Sequence, residues 1–98
     1  MYVVRNVFKC KPGKAGELAK KMRETRPLMQ KLGAGNSRVM VDAVASFWTV
    51  VSEIEVSDLA AWEKALNDRA ANEEMGKAMA GYMDLVEGGY REVFRLVE

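Results

Sequence analysis

The chain has 98 residues, 49% of them hydrophobic, and fifteen basic against fourteen acidic side chains leave a formal charge of +1. Near-neutrality removes the electrostatic footprint of a protein that grips a nucleic-acid backbone or a membrane surface, and no apolar run approaches the roughly 18 residues needed to span a bilayer. Histidine is absent, which excludes a His-based catalytic triad, a zinc site of the usual type and a histidine-ligated haem, so no metal and no cofactor is expected.

A lone cysteine, Cys10, excludes an internal disulfide and fits a reducing compartment. The opening Met1-Tyr2-Val3-Val4-Arg5 lacks the charged region, apolar run and small-residue site of an export signal. The expectation is one cytoplasmic domain over residues 1–98.

Tyr2 to Lys11 alternates with the two-residue period of a strand, Tyr2, Val4, Asn6, Phe8 and Cys10 forming the more apolar row. Lys11-Pro12-Gly13-Lys14 punctuates the chain. Ala15, Leu18, Met22, Met29 and Leu32 then fall on one face of a helix that Gly33 can end. Pro27 removes a backbone donor and crowds the carbonyl of Arg23, predicting a kink or break over Arg23 to Pro27.

Asn36 to Val44 and Phe47 to Val56 are rich in β-branched and aromatic residues, and Ala45-Ser46 between them predicts a short hairpin link. Ser57 offers an N-cap for a second helix carrying Leu59, Trp62, Leu66 and Ala70 at helical spacing. Met75, Met79, Tyr82, Met83 and Val86 continue that spacing, weakened at Gly76 and Gly81, until Gly88-Gly89. The methionines read as gap-fillers of a core or a pliable pocket wall. Tyr90 to Val97 alternates as a last strand.

Strand, helix, strand, strand, helix, strand is the order of a ferredoxin-like split βαβ domain of class α+β: a four-stranded antiparallel sheet with its helices on one face. Assigning the more apolar rows to the helices predicts a core of Val4, Phe8, Val39, Val41, Trp48, Val50, Ile54, Phe94 and Leu96. The bare face then carries Val3, Val7, Met40, Val51, Val93 and Val97, interleaved with Arg5, Arg38, Asp42, Glu53 and Arg95. That face is too apolar for ordinary solvated surface and too charged for a second core. A homodimer packed face to face satisfies both halves, with Arg5, Arg38, Met40, Asp42, Glu53 and Arg95 at the interface.

With its first strand leading into Lys11-Pro12-Gly13-Lys14, a helix closing on Lys31-Leu32-Gly33, a Ser57-Asp58-Leu59 start, Trp62 in the second helix and a final strand opened by Gly89-Tyr90-Arg91-Glu92-Val93, the chain resembles the dimeric α+β barrel superfamily. The likeness is nearest to its NIPSNAP-like and antibiotic-biosynthesis-monooxygenase-like branches. It implies a homodimeric barrel whose enzymatic relatives include cofactor-independent monooxygenases of polycyclic aromatics, which use an Asn on the first strand and a Trp on the second helix; Asn6 and Trp62 stand at comparable places. Haem-degrading relatives need a histidine after that Trp, where this chain offers Met75, Lys77 and Met79. Haem is accordingly not expected.

Independently of the family, Asn6 interrupts an apolar row, and a buried amide without partners costs roughly 1 to 3 kcal/mol. Ser52 and Glu92 fall in rows assigned the same orientation. Asn6, Ser52 and Glu92 are thus expected as one polar patch in an apolar pocket shared with Trp48, Trp62, Met79 and Tyr82. In an enzyme, with Asn6, Trp62 and Glu92 as the working residues, Glu92 abstracts a proton and Asn6 orients a carbonyl or dioxygen; otherwise Asn6 serves a neighbouring backbone group and Glu92 reaches solvent. The leading expectation is a protein that binds a small apolar or aromatic molecule. A cofactor-independent monooxygenase or isomerase of quinol-type substrates is the alternative.

Overall fold

The computed structural model describes residues 1–98. In chain order the elements are β1 (Tyr2–Cys10), α1 (Ala15–Glu24), α2 (Arg26–Lys31), β2 (Ser37–Val41), β3 (Thr49–Val56), α3 (Leu59–Leu66), α4 (Arg69–Ala78) and β4 (Val86–Arg95), with one 3-10 turn at Tyr82–Asp84. The strands form one antiparallel sheet in the order β2-β3-β1-β4. This is the α+β ferredoxin-like arrangement, with β1 and β3 at the centre. No helix is long and apolar enough to cross a membrane.

The first helical stretch breaks where proline requires it. Pro27 sits in the first turn of α2, where its missing N–H costs nothing because that donor has no partner within the helix anyway. Thr25 lies buried at the break, and its hydroxyl donates to the Met22 carbonyl at 2.6 Å. Ala15, Leu18 and Met22 form the buried stripe of α1. Gly33, at φ +97°, supplies the left-handed turn that ends α2.

Four boundaries differ from the sequence expectation. The β2–β3 link is longer than Ala45-Ser46: it runs from residue 42 to 48, closed by the Thr49 N–H donating to the Asp42 carboxylate at 2.8 Å. Phe47 and Trp48 therefore leave the strand despite their β-propensity, and Trp48 takes φ +62°, which a bulky residue adopts only when its surroundings hold it there. Cys10 does so by donating its N–H to the Trp48 carbonyl at 2.8 Å. In the second helical stretch the break comes at Asn67-Asp68, because Asp68 caps a new helix by accepting the Ala71 N–H. Asp58 rather than Ser57 caps α3, accepting the Ala61 N–H at 3.1 Å.

The fourth difference has the largest consequence. β4 begins at Val86, so Gly88 and Gly89 are strand residues and do not end a helix. Pairing with β1 sets Gly89 opposite Phe8, Arg91 opposite Asn6 and Val93 opposite Val4. Cross-strand partners share a sheet face, so Arg91 and Val93 face the helices while Tyr90, Glu92 and Phe94 face away. The expected core residues Phe94 and Leu96 are exposed, as are Val41 and Trp48. Gly89 is required here by space: a Cβ would stand 2.5 Å from the Val7 carbonyl oxygen and 3.2 Å from the Phe8 ring.

The core lies between sheet and helices in two pieces. One gathers Cys10, Leu18, Met22, Val50 and Leu85 beneath α1; the other gathers Val4, Ile54, Val56 and Trp62 beneath α2 and α3. Leu18 and Val50 are fully removed from water, and each such side chain stabilises by roughly 1.5–3 kcal/mol. The division falls at Asn6, the one polar residue between Val4 and Phe8 on the inward row of β1.

Candidate functional site

A polar residue in the middle of an apolar row separates the two halves of the core, and between sheet and helices lies a half-open cavity of about 770 Å³. Its floor is the sheet, through Val4, Asn6, Phe8, Ser52, Ile54 and Arg91. Its walls come from the helices, through Trp62 and the four methionines Met22, Met29, Met75 and Met79. The size falls within the range of pockets that enclose a small organic molecule.

The polar floor is one connected unit. Asn6 and Ser52 are direct cross-strand partners, and the Asn6 amide donates to Ser52 Oγ at 3.3 Å. Arg91 Nε donates to Asn6 Oδ1 at 2.6 Å, the short distance of a charge-assisted bond. Asn6 keeps one amide N–H unspent, Ser52 its hydroxyl proton and Arg91 its terminal nitrogens. This floor is donor-rich, and no carboxylate or imidazole stands among these three residues to act as a base.

The structure brings Asn6, Ser52, Trp62, Met79 and Tyr82 around one cavity. Tyr82 reaches it from the 3-10 turn and meets Phe8 edge to face, 6.3 Å between ring centroids. Two expected members do not join them. Glu92 is opposite Arg5, on the outer face of the sheet, because the register of β4 is set by its pairing with β1 and not by which of its rows is more apolar. Trp48 is 40% exposed in the β2–β3 loop and lines no part of the cavity. Arg91 takes the place expected of Glu92 and reverses the charge. Gly89 was the available signal: a glycine next to the bulk of Phe8 fixes the parity of the strand and with it the inward aim of Arg91.

On the outer face Glu53 lies between Arg38 at 2.6 Å and Arg5 at 3.7 Å, and Met40 faces the same way opposite Val51. Asp42 borders the same face at its loop end. Arg95 does not belong to this set: it pairs across from Tyr2 on the inward row, and its guanidinium lies 5.5 Å from the Tyr2 ring centroid. Val93 leaves the outer face for the same reason, while Tyr90 and Phe94 enter it. Arg5 Nε is shielded from solvent without a hydrogen bond.

Cys10 is fully buried in the core. Burial pushes its thiol above the usual cysteine range, Asp42 and Glu87 add to the rise, and Lys9 partly opposes it. It is a small hydrophobe and not a nucleophile.

No protein-family model and no curated protein matches the sequence. Solved structures do. A NIPSNAP family protein from Agrobacterium tumefaciens superposes with a TM-score of 0.78 at 13% identity, covering 99% of this chain and 93% of that one. The fold is that of the NIPSNAP and antibiotic-biosynthesis-monooxygenase-like proteins. SnoaB from Streptomyces nogalater, a cofactor-independent oxygenase, matches with a TM-score of 0.74 at 14% identity, covering 99% and 93%. An uncharacterised NIPSNAP domain protein from Burkholderia xenovorans gives 0.73 at 14%, covering 99% and 95%. At these identities the likeness is one of fold.

Proposed function

We propose that this NIPSNAP-like chain is a homodimeric α+β barrel protein of the cytoplasm that binds a small apolar or aromatic molecule between its sheet and its helices. The observation that carries the reading is the 770 Å³ cavity divided between an apolar wall and the Asn6–Ser52–Arg91 floor. Few convergent polar groups in an apolar hollow are what orients a small ligand. Titration with a series of naphthols and naphthoquinones, followed by tryptophan fluorescence, is expected to quench Trp62 saturably in a Trp48→Phe background. Absence of saturable quenching across the series, with no shift in melting temperature, overturns the reading.

A second reading, a cofactor-independent oxygenase, draws on the donor-rich floor and on the fold shared with SnoaB. A quinol supplies its own electrons to dioxygen, and preorganised N–H donors favour the negative charge that grows on its oxygen. In this scheme Asn6 and Arg91 hold the oxyanion and Trp62 packs on the ring; Glu92 takes no part. Oxygen uptake with a panel of quinols decides it: uptake no faster than background, and unchanged in Asn6→Ala, removes the enzyme and leaves the binder.

Dimerisation rests on the outer face. Tyr90 and Phe94 are 61% and 48% exposed beside Val3, Val7 and Met40, and the Arg5 and Arg38 pairs with Glu53 cross the same surface. A second copy applied face to face covers the apolar residues and gives the arginines further carboxylates. Light scattering at micromolar concentration is expected to give twice the chain mass, and a monomer sinks the proposal.

A further inference from the structure

The charges bordering the cavity are strongly one-sided. Arg23, Arg26 and Arg91 line it; Arg38 and Glu53 also border it, but their side chains pair with each other on the outer face. Glu53 is already engaged by Arg38 and Arg5 on the outer face. No carboxylate stands within ion-pair distance of Arg23, Arg26 or Arg91.

Two of these three are held by neutral acceptors, which orient a guanidinium without cancelling its charge. Arg91 donates to the Asn6 amide oxygen. Arg26 donates to the Ser37 backbone carbonyl at 3.3 Å, which ties it to the start of β2. Arg23 and Arg26 stand on either side of the Thr25 break, and both border the cavity at its helical wall. Arginine's planar fork matches a carboxylate in two parallel bonds.

We infer that the molecule bound in this cavity carries an acidic group, a carboxylate or its equivalent, which Arg23 and Arg26 receive while its apolar body lies against Trp62 and the methionines. The inference rests on the ligand-binding reading above and adds the charge of the ligand to it. Arg91 faces the opposite end of the same space, on the floor, where a phenolic or enolic oxygen would meet it.

The test uses two probes of nearly equal shape, 2-naphthoate and methyl 2-naphthoate, titrated calorimetrically into the intact protein. The expected result is a preference for the acid on the order of tenfold, shrinking as salt is raised. In the Arg23→Gln, Arg26→Gln double variant the acid-to-ester ratio is expected to fall to about twofold or less, and the Lys, Lys variant at the same positions to recover part of it. Equal affinity for acid and ester overturns the inference and leaves the cavity a binding site for neutral molecules. A preference that survives in the Gln variant overturns the assignment to Arg23 and Arg26. Failure of both probes to bind removes the ligand-binding reading itself.

Discussion

Replacing Asn6 by alanine separates a structural amide from one that organises a site. The side chain makes two bonds: it accepts from Arg91 Nε at 2.6 Å and donates to Ser52 Oγ at 3.3 Å. A hydrogen bond to a charged group is worth about 1.5–3 kcal/mol and a neutral one about 0.5–1.5. Arg91 is exposed, so water replaces part of what is lost, and the serine bond is long, so the lower ends apply. The expected loss is about 1.5–2 kcal/mol, a fall in Tm of roughly 6–16 °C for a domain of this length. The magnitude alone does not identify the partner. A double-mutant cycle with Arg91→Met, by urea denaturation at one fixed protein concentration, is expected to return a coupling of about 1 kcal/mol. Additive effects, within about 0.3 kcal/mol, refute the claim that Arg91 and Asn6 act as one unit.

Three further outcomes follow from features away from that bond. Gly89→Ala puts a methyl 2.5 Å from a backbone oxygen and 3.2 Å from the Phe8 ring, so β1 and β4 must part locally; a loss of about 1–3 kcal/mol is expected, with weaker binding of any cavity ligand, and an unchanged melting curve contradicts the close approach. Cys10, its thiol raised by burial, is expected to resist thiol reagents in the native state and to react fully in denaturant; fast native labelling refutes its burial. The sign of the linkage is fixed as well: the folded state holds the proton more tightly than the unfolded one, so this contribution to stability is complete below the ordinary thiol pKa of 9.0 and is lost as pH rises beyond it. The difference in stability between wild type and Cys10→Ala should shrink above that pH.

Elements whose identity depends on local chemistry were legible from the chain. The alternation of β1, the proline break between α1 and α2, the turn at Gly33 and the amphipathic face around Trp62 are each dictated by a few neighbouring residues. So was Asn6 as the odd member of an apolar row. What escaped depends on distant partners. The alternation of β4 defines two rows, but only its pairing with β1 decides which row faces the helices, and the bulkier row of Tyr90 and Phe94 goes outward. A reading that sends the more apolar row into the core therefore inverts the strand and puts Glu92 where Arg91 stands. Phe47 and Trp48 mislead similarly: their propensity is for strand, and a bond from Cys10 to the Trp48 carbonyl holds them in a loop.

The four thioethers around the cavity bear on the difference between binder and oxygenase. Methionine is the side chain in this wall that reactive oxygen converts to sulfoxide. Met1 and Met83, 47% and 68% exposed, are what an oxidant arriving from solution meets first, whereas Met22, Met29, Met75 and Met79 face the interior space. Peptide mass mapping after incubation with a quinol in air thus reads where oxidant arises: sulfoxide on the inner four ahead of Met1 and Met83 marks oxygen activated within the protein. The reverse order marks a bystander.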